Sequence, residues 1–319
     1  MEIFIFIALI LILLSYCYLK LAVWFKIIDK PNQRSSHTKP TIRGGGIIFV
    51  FAIWLFFVLN NYQYPFFVLG VSIISIISFL DDIYTLSSKI RFPFQFLAIL
   101  FILLEIGLPF SPFYMFLCYF IVGLGIINMF NFMDGINGIT GMFSFAVLSG
   151  FYFINSKENL IDNELIYCSM IALTVFGYYN FRKKALFFAG DIGSISIGVL
   201  IFFIGVLFTI KLNSPLILLL VIVYGADALC TMLYRKIFTK ESLLEPHRHH
   251  IYQKLVDNGK YSHLFVSFMY AMIQLLVNII IYYSYNLKLQ SQLIIFSGLV
   301  LLFTLIYLFL YKKFTIKVG

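Results

Sequence analysis

The sequence predicts an all-α polytopic membrane protein, and three observations carry that prediction. Hydrophobic residues fill 61% of the 319 positions and charged residues only 12%, against about 45–50% and about 25% in soluble domains. Mean hydropathy is +0.97. The apolar residues fall in long runs broken by short polar segments, with no internal repeat, low-complexity tail or soluble stretch, so residues 1–319 read as a single integral membrane domain.

A helix needs roughly 20 mostly apolar residues to cross a bilayer, which predicts about eleven transmembrane helices. In order they are 3–25, 44–60, 65–80, 92–107, 112–130, 136–154, 165–180, 192–210, 214–234, 263–285 and 291–311. The first run lacks a basic leader and is too long for a signal-peptide core, so it reads as a retained span. Cys17, Cys118, Cys168 and Cys230 lie inside apolar runs without paired metal spacing and read as core filler.

Most of the 23 Lys and Arg fall in 26–43, 89–91, 182–184, 235–260 and 312–317, while the alternate loops hold only Lys157, Lys211 and Lys288. The positive-inside rule then puts the N-terminus outside and the C-terminus in the cytoplasm. The same bias accounts for most of the net charge of +9. It also favours an anionic substrate arriving from the cytoplasm or the headgroup layer.

Five polar clusters fall at the predicted cytoplasmic ends of spans: SSHTKPTIRGGG (35–46), LDDIYTLSSKIR (80–91), NMFNFMDGINGITG (128–141), FFAGDIGS (187–194) and EPHRHHIYQKL (245–255). Mid-span positions are apolar almost throughout, with Glu105 and Asp227 the exceptions. A conduction path would line several spans with polar groups along their depth. Polar groups on one face predict a cytoplasmic-face active site instead. Each cluster also has a bland reading. Asp81 and Asp82 fit solvated helix ends, Asp134 and Asp191 fit N-caps of the spans that follow, and His247, His249 and His250 fit a surface patch. Adjacent carboxylates repel, however, and a cation, a base role or a shared proton explains their pairing better.

The residue types suggest the chemistry. Asp and Asn are hard oxygen ligands suited to Mg²⁺ or Mn²⁺. Arg and His beside them suit phosphate. In a lipid setting this points to metal-assisted phosphoryl transfer between a soluble phosphate donor and a lipid phosphate.

The five motifs, in this order on a multi-span chain, resemble the polyprenyl-phosphate N-acetylhexosamine-1-phosphate transferases (glycosyltransferase family 4) over nearly the whole sequence. The resemblance implies transfer of HexNAc-1-phosphate from a UDP-sugar to undecaprenyl phosphate with release of UMP, the step that initiates a cell-surface polysaccharide. It implies Mg²⁺ as cofactor, with Mn²⁺ able to substitute, and a bacterial plasma-membrane location. The bilayer is a partner, a homodimer is compatible, and nucleic acid has no part. Carried over by residue, Asp81 and Asp82 would act near the lipid phosphate, and Asp134 and Asn137 near the nucleotide. Asn131 and Asp191 would hold the metal. His247, His249 and His250, with Arg248, would contact the donor diphosphate and sugar, and Lys39 would bind substrate. Asn137 stands where the peptidoglycan translocase has Asp, and HRHH replaces its HHH. UDP-MurNAc-pentapeptide is therefore disfavoured, and UDP-GlcNAc or a 6-deoxy-HexNAc donor such as UDP-FucNAc or UDP-QuiNAc is favoured. Three rivals stand beside this reading: a lipid-linked sugar transporter or scramblase without transferase activity, an intramembrane aspartyl protease, and a CDP-alcohol phosphotransferase.

Overall fold

Each predicted span coincides with a helix. The computed structural model describes residues 2–29, 40–239 and 248–315, so Lys39 and His247 lie outside the described residues. Helix α1 runs Glu2–Trp24, α2 Ile47–Leu59, α3 Pro65–Tyr84, α4 Ser88–Ile106, α5 Phe113–Met133, α6 Ile139–Glu158, α7 Asn163–Asn180 and α8 Gly190–Leu212. A 3-10 segment, Pro215–Val221, leads directly into α9, Ile222–Phe238. Then come the short α10, Ile251–Asp257, and the long α11, His263–Ser284, and α12, Leu289–Thr315.

Among the described residues eight helices are long and apolar enough to cross a membrane: α1, α3, α5, α6, α8, α11, α12 and the rod Pro215–Phe238. The other three expected spans form shorter or more polar helices. Helix α2 has 13 residues, α4 carries Lys89, Arg91, Pro93 and Glu105, and α7 has 18 residues. A strand pair and a short helix were not expected. Strands β1 (Ile28–Asp29) and β2 (Thr41–Ile42) pair antiparallel, and α10 follows the His-rich motif. Both are too short to leave a periodic signal, and tertiary contacts hold them.

Helix α8 is the central pillar. It is apolar on every face, and residues Ile192–Thr209 are buried, as an all-round hydrophobic helix must be. It packs against α2, α3, α4, α5 and α6, with Phe203 stacked on Phe67 at 4.3 Å between ring centroids. Helices α1 and α12 lie at the edge and leave most of their apolar residues exposed. Because successive spans alternate in direction, every second interhelical segment comes to the same end of the bundle. Contacts there join the start of α2 to the end of α3 and the start of α8, and the start of α6 to the end of α7. The polar motifs therefore share one end.

Candidate active site

At that end three aspartates meet two arginines. Asp81 and Asp82 close the last turn of α3, Asp191 opens α8, Arg43 precedes the glycine turn before α2, and Arg91 lies in the first turn of α4. Arg43 bridges two carboxylates, with Nε 2.6 Å from Asp82 Oδ1 and Nη2 2.6 Å from Asp191 Oδ1. Arg91 Nη1 lies 2.7 Å from Asp81 Oδ2 and 3.1 Å from Asp191 Oδ2. Asp81 and Asp191 also lie within hydrogen-bonding reach of each other. Burial opposes the Arg43 charge, but the carboxylates of Asp191 and Asp82 outweigh it and hold its pKa above the ordinary guanidinium value.

The backbone is built for this approach. Gly45 and Gly46 donate to the carbonyls of Phe188 and Ala189 at 2.8 and 3.0 Å, and Phe188 donates back to Ile42 at 2.8 Å. This short ladder docks the glycine turn on the entry to α8. Gly190 has φ +71°, and a Cβ there would sit 2.5 Å from Asp82 Oδ2 and 2.7 Å from the Gly44 nitrogen. Only glycine tolerates both that conformation and that crowding.

The bland readings of the aspartates fail here, apart from one reversal. The Asp81 and Asp82 side chains are 7% and 0% exposed, so neither is a solvated helix end. Asp191 does not cap its own helix. Asp82 does so from across the bundle, accepting from the backbone N–H of Asp191 at 2.8 Å and of Ile192 at 3.1 Å. A carboxylate at a helix N-terminus is favourable in itself, and here it leaves the Asp191 side chain to the arginines. Asp134 does not cap α6 either. Its Oδ1 accepts from Thr140 Oγ1 at 2.5 Å, and Gly138 occupies the N-cap. Burial pushes the Asp134 carboxyl up to about 6, the Thr140 bond pulling the other way and the Asp191 charge adding to the rise.

Asn131 and Asn137 extend the site. The Asn131 amide lies 3.4 Å from Ser194 Oγ, near the start of α8 beside Asp191. Asn137 Nδ2 donates to the carbonyls of Arg182 at 2.9 Å and Lys183 at 3.3 Å, tying this motif to the basic loop after α7.

The His-rich motif divides. His250 turns inward: it is 1% exposed, and its Nδ1 lies 3.2 Å from Asp227 Oδ1. Asp227 also accepts from the backbone N–H groups of Ile251 (2.9 Å) and Tyr252 (3.1 Å), from Tyr270 Oη (2.7 Å) and from Thr231 Oγ1 (3.3 Å). Tyr252 Oη donates to the Phe132 carbonyl at 3.0 Å, clamping α10 onto the Asn131–Asn137 segment. Arg248 pairs with Asp257, its Nη2 2.8 Å from Oδ2. His249 is half-buried. Sequence reasoning expected the three histidines and Arg248 to act together on substrate; His250 instead faces Asp227, and Arg248 is engaged along α10.

Arg43, Arg91 and Asp227 were not assigned a role from sequence. The two arginines lie within quoted motifs, but arginines at helix ends are also what the positive-inside rule supplies.

Among the described residues no group of three or more His, Cys, Asp or Glu forms a ready cage for a metal. Mg²⁺ does not require one, since it commonly takes one or two carboxylates and completes its shell with water and substrate phosphate. Asp191, Asp81 and Asn131 offer hard oxygens, and the three carboxylates outnumber the two guanidinium groups. The donor chemistry and the charge balance fit a hard divalent cation.

The bundle of apolar helices thus carries an aspartate–arginine cluster at one end. Residues 64–209 match Glycosyl transferase family 4. It is 28% identical over 266 residues to an undecaprenyl-phosphate alpha-N-acetylglucosaminyl 1-phosphate transferase of Yersinia pestis, covering 75% of this chain and 72% of the relative. A protein of the same name in Escherichia coli strain K12 is 26% identical over 269 residues, with the same coverage. A phospho-N-acetylmuramoyl-pentapeptide-transferase of Campylobacter lari is 28% identical over 314 residues, covering 83% of this chain and 86% of the relative.

Proposed function

We propose that this protein transfers N-acetylhexosamine-1-phosphate from a UDP-sugar to undecaprenyl phosphate and releases UMP, initiating a cell-surface polysaccharide. The observation that carries the reading is the meeting of Asp81, Asp82 and Asp191 with Arg43 and Arg91, drawn from four separate segments to one end of the bundle. A transporter or scramblase has no need for such a cluster at one end.

In the proposed reaction an oxygen of the lipid phosphate attacks the β-phosphorus of the donor. The bond from that phosphorus to the bridging oxygen breaks, and the electron pair leaves with UMP. A phosphate monoester has a second pKa near 6 and is largely dianionic at neutral pH, so Asp81 and Asp82 need not remove a proton. Asp82 fixes the start of α8, and through it the carboxylate of Asp191. Asp191, with Asn131 and Asp81, would hold Mg²⁺, which neutralises the diphosphate and the departing UMP when bound. Asp134, Asn137 and the clamped α10 segment frame the donor side, with His249 two residues before α10. Both N-acetylglucosaminyl relatives and the N-acetylmuramoyl-pentapeptide relative match at similar identity. The donor preference for UDP-GlcNAc or a 6-deoxy-HexNAc therefore rests on Asn137 and the HRHH sequence.

The test is a donor panel with purified protein, undecaprenyl phosphate and Mg²⁺. UMP release from UDP-GlcNAc, UDP-FucNAc or UDP-QuiNAc, lost with EDTA and restored by Mg²⁺ or Mn²⁺, is the expected result. Absence of UMP release from every UDP-HexNAc by folded protein removes the proposal.

The proposal places the site in the cytoplasm. Lys184 is exposed in the loop tied to Asn137. In a cysteine-free background, Lys184→Cys should resist an impermeant thiol reagent in intact cells and react once the membrane is opened. Labelling in intact cells overturns the orientation.

A further inference from the structure

We propose that Arg91 is a resident counter-ion, seated between Asp81 and Asp191 in the metal-free protein and exchanged for the divalent cation when the site loads. The inference rests on the reading above that Asp191 holds that cation.

The two arginines of the cluster are held differently. Arg43 engages two carboxylates through two nitrogens, both at 2.6 Å. Arg91 bridges Asp81 and Asp191 through one nitrogen, Nη1, at 2.7 and 3.1 Å. A guanidinium binds carboxylates best with its fork, through two parallel bonds. Arg91 forgoes that geometry and acts as a point charge between two oxygens, as a small cation would. Its Nε is buried and has no hydrogen-bond partner, an unfavourable state for a donor. The Asp81 and Asp191 carboxylates lie within reach of each other, so positive charge between them relieves their repulsion. A divalent cation in that position meets the need better but must take oxygens that Arg91 now holds.

Arg91 also has somewhere to go. Its side chain is 26% exposed, and its backbone is fixed in the first turn of α4. Once displaced, the guanidinium stays beside the cluster with its fork free, which is the geometry that grips a phosphate. Cation loading thereby prepares an anion-binding group. Arg43, held twice, remains as the fixed charge.

The exchange predicts opposite changes in stability and metal affinity for one substitution. Metal-stripped wild type and Arg91→Gln, in detergent without substrate, are titrated with MgCl2 while thermal unfolding is followed. Arg91→Gln should unfold at a lower temperature without Mg²⁺, because two close carboxylates lose their counter-ion. Its half-saturating Mg²⁺ concentration should nevertheless fall at least about tenfold, because the competitor is gone. Arg91→Lys, which keeps the charge, should titrate like wild type. An unchanged or higher half-saturation in Arg91→Gln overturns the exchange and makes Arg91 part of the permanent frame.

A second measurement needs no variant. An arginine-selective dicarbonyl reagent, mapped by peptide mass spectrometry, should modify Arg91 of wild type faster in saturating Mg²⁺ than in EDTA, with Arg43 protected in both. Equal or slower modification of Arg91 in Mg²⁺ also overturns it. The two failures are distinguishable. If neither stability nor UMP release of wild type responds to Mg²⁺, the metal reading falls and the exchange with it. If both respond but the Arg91 results do not follow, the exchange falls alone.

Discussion

Asp191 on α8 and Asp227 on α9 are both mostly shielded carboxylates toward the same end of the bundle, yet they keep opposite company. Asp227 accepts from two backbone N–H groups, a tyrosine and a threonine hydroxyl, and faces His250. Every one of those groups belongs to packed helix or ring, and none can leave without unfolding its surroundings. Asp191 meets guanidinium groups on long stems, 30% and 26% exposed at their side chains, of which Arg91 is the one proposed to exchange for another cation. A carboxylate saturated by fixed donors is architecture, and one held by exchangeable charges is available for chemistry. Residue type and burial alone do not separate the two.

The first way to break that distinction is Asp227→Ala. It strips the acceptor from Ile251, Tyr252 and Tyr270 together. Removing one side of a buried polar cluster costs about 3–5 kcal/mol, so we expect a large drop in the thermal midpoint. Release of α10 should show as faster hydrogen exchange of its amides. A variant with wild-type stability would erase the contrast with Asp191.

Next in size is His249→Ala. If His249 meets developing charge on the donor, kcat/KM should fall roughly 10²-fold with an unchanged thermal midpoint. Activity within about threefold of wild type in a folded variant would leave Asp227 and His250 as the whole purpose of the His-rich motif, an anchor without a substrate contact.

The smallest effect concerns Asp134, whose carboxyl stands at about 6 in the folded protein against about 3.9 when exposed. The folded state binds that proton more tightly, so wild type gains stability as pH falls through about 6 and has gained it fully below the unfolded value. The stability of wild type minus Asp134→Asn should therefore be flat above about pH 7 and rise in favour of wild type toward pH 4. The rise should be on the order of 1–2 kcal/mol, allowing for the partial exposure of the residue. Thermal or denaturant unfolding across pH 4–8 measures it. A difference independent of pH would remove Asp134 as a titrating group.

The sequence announced the helices because a bilayer leaves few alternatives: long apolar runs must be helices, and their polar ends mark the boundaries. It announced the motif positions for the same reason, since Asp81, Asp82, Asn131 and Asp191 are conspicuous in apolar surroundings and do converge. What was illegible depends on contacts between distant residues. Asp82 caps α8 across 109 residues of chain, which no local pattern encodes. Helix α10 has seven residues and no amphipathic period to read; Asp227 holds it from α9. Arg43 and Arg91 looked like topology signals, and their joint hold on Asp191 emerges only when four segments meet. His247, His249 and His250 looked alike in sequence, and only folding sends His250 inward to Asp227.

The most direct test of the division between chemistry and architecture is a change of one atom at Asp191. Asn preserves the shape and removes the charge. If the account holds, Asp191→Asn still folds, because Asp82 caps α8 and Asp81 and Asp82 remain to balance Arg43 and Arg91. Its thermal midpoint should lie close to wild type. UMP release should nevertheless fall at least about 10³-fold, since metal-held charge stabilises phosphoryl transfer by several kcal/mol and each factor of ten is about 1.4 kcal/mol. A folded Asp191→Asn protein that retains more than about a tenth of wild-type turnover would contradict the account and return Asp191 to the architecture it shares with Asp227.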